Sequence, residues 1–289
     1  MSTGPVIAIH AGAAPGASIV VEQAERCRAA LIEALEAGRA ALERGGDAVG
    51  AVQAAVMVME DFELFNAGRG AVLCSDGSVE LSAAIMRSDR GAGAVAGVKR
   101  IRYPIAGALA VMQSEQVLMV GPAADQVAAE AGAETVEPAY FITERQRERL
   151  NAMLTGPEHA TVGAVCVDAS GMLAAGTSTG GIRAQPPGRV GDCPLIGAGT
   201  WADGRVAVSC TGDGEAFIRS GASRHIAALV EHGVPLAQAT ERALREVQEV
   251  GGEGGLVAVD HRGNAALPFT TDVMPRGVWR AGEAPAAWV

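Results

Sequence analysis

Three things are scarce in this 289-residue chain, and each scarcity narrows what it can be. No CxxC pair occurs among the cysteines Cys27, Cys74, Cys166, Cys193 and Cys210, and five is an odd number. That excludes a disulfide framework and a cysteine zinc site, and leaves the thiols as small buried hydrophobes. Long apolar runs are missing as well. The most apolar stretch, 48–59, is too short to span a bilayer, and MSTGPVIAIH has no basic segment ahead of a long apolar one. Neither a membrane span nor a signal peptide is expected, and cytoplasmic residence is the default. Basic charge is the third scarcity: 23 Lys and Arg against 33 Asp and Glu give a formal net charge of −10. This argues against nucleic acid and anionic membrane as main partners.

What is present describes a globular chain with a large core: 49% hydrophobic and 19% charged residues. The 38 glycines have no period and sit between strand-like runs. PVIAIH (5–10) reads as a buried strand. Residues 19–44 carry a 3.6 period that Gly45–Gly46 stop. Asp47 N-caps an apolar helix to about Glu60, to be buried between layers. Further strands are expected near 79–86, 93–99 and 116–120. A helix opens at Pro122 and ends near Gly132, and Thr143 caps a charged, exposed helix. LTGPEHA (154–160) is a turn-rich connector. Beyond it, 194–199 and 205–210 read as strands, TGDGE turns into a helix reaching His232, and Pro235 opens another to about Val250. A last hairpin covers 256–260 and 264–269. Strands precede paired helices in each half, which fits sheets sandwiched between helix layers.

The organising stretch is 158–192. Residues 161–167 and 172–178 read as two buried strands joined by turn residues, a β-hairpin. Pairing across a three-residue loop sets Thr161 opposite Thr179 at the open end, within cross-strand distance. Gly180, Gly181, Arg189 and Asp192 follow. A Thr hydroxyl needs a base to become a nucleophile. If the Ala160–Thr161 bond is cut, the residue's own α-amine lies beside its hydroxyl and can serve. Thr211 and Gly212, ahead of a helix, can supply oxyanion donors. Arg189 can hold a carboxylate bidentately and Asp192 an amine, the two charged groups of an α-amino acid.

These residues carry a resemblance. VIAIH (6–10), LFNAGRGAVL (64–73), AGAVAGV (92–98), TVGAV (161–165), TSTGG (177–181), GRVGD (188–192), VSCTGDGE (208–215), GGLVAVD (254–260) and ALPF (266–269) occur in the order found in the plant-type L-asparaginase/isoaspartyl peptidase family. The chain resembles that family over nearly its whole length. The resemblance implies an α+β fold, a four-layer αββα sandwich of the N-terminal-nucleophile hydrolase type. It implies a precursor cut autocatalytically between Ala160 and Thr161 into an α chain (1–160) and a β chain (161–289), which together make one structural domain. The reaction implied is hydrolysis of asparagine side-chain amides or β-aspartyl dipeptides. Thr161 is then the nucleophile and Thr179 tunes it; Thr211 and Gly212 form the oxyanion hole. Arg189, Val190, Gly191 and Asp192, with Thr211, Gly212, Asp213 and Gly214, contact substrate, and Asn66 supports the site. No cofactor is implied for catalysis. A structural Na+ is implied in the loop Met59–Arg69, held mainly by carbonyls of Met59, Glu60, Phe62, Phe65, Ala67 and Arg69. The implied assembly is a homodimer of αβ units.

The sequence departs from the family at several points. Ala160 replaces the usual Gly before the nucleophile, HAGAA replaces HGGAG, and Asp213 adds an acid to the CTGTGE-like turn. ELSA (80–83), MRS (86–88) and FTTDVM (269–274) replace ELDA, MDG and FNT.GM. A second expectation follows from Ala160 and Asp213: an unprocessed protein that binds an amino acid through Arg189 and Asp192 without turnover. A third keeps the catalysis and shifts the β-amide substrate. Other residues have plainer readings. His10 ends a buried strand as a hydrogen-bonded core residue, and His159 only neighbours the scissile bond. Cys166 and Cys193 lack a His partner. The glycines of 91–97 have the wrong spacing for a dinucleotide loop and serve packing.

Overall fold

The computed structural model describes residues 4–14, 23–152 and 161–289. In chain order the described elements are β1 (Val6–Ala11), α1 (Ala24–Glu43), α2 (Ala48–Asp61), β2 (Leu81–Arg87), β3 (Ala92–Val98), α3 (Pro104–Met112), β4 (Leu118–Val120), α4 (Gly121–Glu130), α5 (Glu144–Asn151), β5 (Val162–Val167), β6 (Leu173–Thr179), β7 (Thr200–Ala202), β8 (Val206–Gly212), α6 (Gly214–Ser220), α7 (Ala222–Glu231), α8 (Leu236–Glu249), β9 (Gly254–Asp260), β10 (Ala265–Ala266), β11 (Arg276–Arg280) and β12 (Ala286–Trp288). The strands form an eight-stranded sheet, β12-β11-β1-β5-β6-β2-β3-β4, and a four-stranded one, β10-β9-β8-β7. Helices α1 to α4 pack on the outer face of the large sheet, and α7 and α8 on that of the small one. The inner faces meet through β1, β5 and β6 against β8 and β9. The result is the αββα order of layers. No described helix is long and apolar enough to cross a membrane.

Strand parity decides what each layer receives, because successive side chains point to opposite faces. Ile7 and Ile9 of β1, and Val162, Ala164 and Cys166 of β5, join the core under the helices. Val6, Ala8, Val165 and Val167 join the core between the sheets. Thr161 shares the parity of Val165 and Val167. The hairpin pairs Val162 with Ser178 and Val167 with Leu173, and Asp168 N–H donates to the Met172 carbonyl at 3.0 Å. That leaves residues 169–171 as the three-residue loop, with Gly171 at φ 85°, where a side chain would be strained.

Two caps agree with expectation. The Asp47 side chain accepts from Gly50 N–H at 2.9 Å, and the Thr143 hydroxyl from Gln146 N–H at 3.3 Å. Other elements differ. Residues 194–199 are turns instead of a strand, since Leu195 and Gly199 N–H both fold back onto the Asp192 carbonyl. The helix expected to reach His232 is broken at Gly221, which adopts φ 55° and splits it into α6 and α7. Helix α5 is not exposed all round: Gln146 and Arg149 are buried, and Gln146 Nε2 donates to the Gly70 carbonyl at 2.8 Å. Helix α3 and strands β11 and β12 had no expectation at all.

Candidate active site

The site forms at the open end of the β5–β6 hairpin. Thr161 Oγ1 donates to Thr179 Oγ1 at 3.1 Å, and Gly181 N–H donates to the same oxygen at 3.0 Å. Both threonines are buried. Asn66 holds the turn that follows: its Nδ2 donates to the Gly181 carbonyl at 2.6 Å, and its carbonyl accepts from Gly180 N–H at 3.1 Å. The Asn66 Oδ1 accepts from Val72 N–H at 2.8 Å, so the side chain cannot turn away. Gly180 has to be glycine here, because a Cβ would lie 2.6 Å from Asn66 Oδ1.

Across the gap between the sheets lies the end of β8. Thr211 is fully buried, and its Oγ1 accepts from Ala13 N–H at 3.2 Å, which leaves its own proton to donate. Thr211 and Gly212 belong to the strand, with Gly254 and Gly255 paired opposite, so they do not lie in a turn as expected. Gly212 sits at φ 138°, and a Cβ there would come within 2.4 Å of the Glu253 carbonyl. Only glycine satisfies both constraints. Asp213 N–H is taken by the Glu253 carbonyl at 2.9 Å.

One small pocket is lined by Thr161, Thr179, Gly181, Ile182, Arg189, Gly191, Asp192, Gly212 and Gly214. Val190, Thr211 and Asp213, which the sequence motifs suggested as substrate contacts, are not among these lining residues. Asp192 is buried, its Oδ2 has no hydrogen-bond partner, and burial pushes its carboxyl up to about 7. A buried, underpartnered carboxylate facing a pocket is suited to an incoming cation. Arg189 is buried on most of its length and paired with Glu215. Sequence reasoning missed Glu215 and Gln185 as Arg189's partners. Glu215 is in the VSCTGDGE motif, but nothing in the motif says that its side chain turns back toward GRVGD.

Other polar groups near the site are structural. His10 is fully buried, its Nε2 within 2.9 Å of Ser209 Oγ, and burial pushes its imidazole down to about 3, so it stays neutral. Ser209 Oγ also meets Thr177 Oγ1 at 2.7 Å, which in turn accepts from Thr200 Oγ1 at 2.6 Å. These bonds tie the two sheets together beneath the pocket. All five cysteines are buried and free, and burial raises the Cys166 and Cys193 thiols well above their ordinary range. Neither is poised as a thiolate. The connector 154–160, with His159 and Ala160, lies outside the described residues.

The Na+ ligands implied for the 59–69 loop are backbone carbonyls, and those of Met59, Phe62, Phe65 and Ala67 each accept an N–H from two or three residues further on. Among the described residues no group of three His, Cys, Asp or Glu could hold a metal. The Glu60 side chain points elsewhere, accepting from Ser178 Oγ at 2.6 Å and Ile105 N–H at 3.0 Å. Carbonyls instead crowd the glycines of the loop. A Cβ on Gly68 would lie 2.4 Å from the Glu60 oxygen, and one on Gly70 would lie 2.0 Å from that of Phe65. The Arg69 guanidinium, a cation without an acceptor, lies over the Tyr140 ring.

The sequence profile of the family described as asparaginase matches residues 3–288. The isoaspartyl peptidase of Salmonella typhimurium is 46% identical, the match covering 98% of this chain and 98% of the relative. That of Escherichia coli is 45% identical over 98% of this chain and 95% of its own. The isoaspartyl peptidase/L-asparaginase of Bos taurus is 38% identical over 96% and 93%.

Proposed function

The chain belongs to the asparaginase family, and on that premise we propose that it is an amidohydrolase of the isoaspartyl peptidase/L-asparaginase type, working through Thr161 after cleavage of the Ala160–Thr161 bond. The observation that carries the reading is the Thr161–Thr179 hydroxyl pair at 3.1 Å, opening into a pocket that also holds Arg189, Asp192 and Gly212.

In this reading the freed α-amine of Thr161 takes the proton from Oγ1, which attacks the β-carbonyl carbon of the substrate. Thr179 Oγ1 accepts from Gly181 N–H, and once the amine takes the Thr161 proton, Thr179 gives its own hydroxyl proton in a hydrogen bond to Thr161 Oγ1 and keeps it aimed. The tetrahedral oxyanion is met by the Thr211 hydroxyl and Gly212 N–H. The C–N bond breaks and the α-ammonium returns its proton to the leaving amine. That amine is ammonia from asparagine and an α-amino group from a β-aspartyl dipeptide. Water then attacks the ester carbonyl, with the amine as base, releasing aspartate and regenerating Thr161. Arg189 takes the substrate's α-carboxylate and Asp192 its α-ammonium, which fixes the β-carbonyl over the nucleophile.

In the same reading, the carbonyls of Met59, Glu60, Phe62, Phe65, Ala67 and Arg69 would hold a structural Na+, which would fix the loop that carries Asn66. The test is intact mass. Purified protein should give two fragments meeting at Ala160/Thr161, and Thr161→Ala should stay whole and without turnover on β-aspartyl dipeptides. An uncut wild type with undiminished turnover would overturn the amine-as-base mechanism. An uncut, inactive wild type stabilised by L-aspartate would favour a binding protein.

A further inference from the structure

Arg189 is held on two sides by side chains that the chemistry above does not use. Its Nε and Nη2 donate to the two oxygens of Glu215 at 2.9 and 2.8 Å. That fork takes the side-on edge of the guanidinium. Its Nη1 donates to Gln185 Oε1 at 3.4 Å. Gln185 is 3% exposed, and its amide is itself fixed: Oε1 accepts from Ile182 N–H at 3.0 Å, and Nε2 donates to Cys74 Sγ at 3.9 Å. Gly181 permits the close approach, since a Cβ there would lie 2.1 Å from Gln185 Oε1.

What remains of the guanidinium is its Nη1–Nη2 end, and this end faces glycine. A Cβ on Gly191 would lie 2.9 Å from Nη1 and 3.2 Å from Nη2. One on Gly214 would lie 2.9 Å from Nη2 and 3.0 Å from Asp192 Oδ1. Both glycines line the pocket. A long arginine side chain has much rotamer freedom to lose when it grips a ligand, and holding it beforehand removes that cost.

We infer that Gln185 and Glu215 are positioning residues that fix Arg189 so that its Nη1–Nη2 end meets the α-carboxylate of the substrate. The inference rests on the reading that Arg189 takes the α-carboxylate, and the test separates the two.

The processed enzyme is assayed on a β-aspartyl dipeptide with two competitive inhibitors. L-aspartate carries both α groups; β-alanine lacks the α-carboxylate. Gln185→Ala and Glu215→Gln should each weaken L-aspartate about 10-fold, leave β-alanine within about 2-fold, and raise KM while kcat stays within about 3-fold. Gln185→Glu, which keeps the acceptor oxygen, should recover part of the loss. Equal weakening of both inhibitors, a fall in kcat at constant KM, or tighter aspartate binding in Glu215→Gln would overturn the inference; the last result would make Glu215 a competitor. Arg189→Ala serves as the reference. If it leaves the aspartate/β-alanine ratio unchanged, the assignment of Arg189 itself falls. If it collapses the ratio while Gln185→Ala and Glu215→Gln do not, only the positioning role falls. Should Gln185→Ala fail to fold or process, Glu215→Gln, whose side chain is half exposed, carries the test alone.

Discussion

Thr161, Arg189 and Asp192 differ in how much of their behaviour each owes to its surroundings. The Thr161 hydroxyl is chemically ordinary, and among the described residues its setting is one hydrogen bond to Thr179. Asp192 is altered by its environment: burial, and next to it the Glu215 charge, raise its carboxyl to about 7, against the pull of Arg189. For a carboxylate the raised value means that it is charged above about pH 7 and neutral below. The neutral form no longer attracts an ammonium. The ratio of kcat/KM for L-asparagine over succinamate, which lacks the α-amine, should therefore fall as pH drops through about 7. That ratio cancels the titration of the Thr161 amine, which both substrates share. Asp192→Asn should flatten the profile and lower kcat/KM for L-asparagine roughly 10- to 100-fold, as expected from about 1.5–3 kcal/mol for a charged hydrogen bond.

The hairpin works as an element because its neighbour strand comes so near. Gly163 stands two residues from Thr161 on the inner face, and a Cβ there would lie 2.0 Å from Ser209 Oγ and 2.4 Å from His10 Nε2. That space is filled by the polar ties between the sheets. Gly163→Ala should cost about 1–3 kcal/mol, the range for overpacking a dense interior. Urea unfolding should show it as a lower midpoint with unchanged m value. The same push should move β5 away from β8, so self-cleavage should slow more than global stability alone accounts for. Gly171→Ala, in the hairpin's own loop, is the control. It strains a backbone at φ 85°, also lowers the midpoint, and leaves the spacing between the sheets alone.

The topology of the whole molecule has a consequence for a cut chain. Strands β5 and β6, which follow the proposed scission, lie between β1 and β2, which precede it, in one continuous sheet. Strand β11 pairs with the far side of β1. The α and β chains would thus share ladders on several strands and one hydrophobic core. They should co-elute in native buffer at all salt concentrations and part only in denaturant. Two separately eluting fragments would contradict this arrangement. Sedimentation should also report the mass of two αβ units, the assembly implied by resemblance to the family.

By itself the sequence determined the hairpin, its loop length and the meeting of Thr161 with Thr179, because strand alternation and turn chemistry act over a few residues. The succession of strands and paired helices fitted sheets between helix layers, and a series of short motifs carried the resemblance to the family and with it the αββα order. The tertiary structure alone decided who holds the site in place. Asn66 reaches Gly181 across 115 positions and His10 reaches Ser209 across 199. Gln185 and Glu215 close on Arg189 from a loop and a helix start. It also decided that 194–199 would turn back on the Asp192 carbonyl instead of extending. Such contacts leave no period in the sequence. They depend on how two sheets dock and which rotamers that docking leaves open, and no local pattern of residues encodes either.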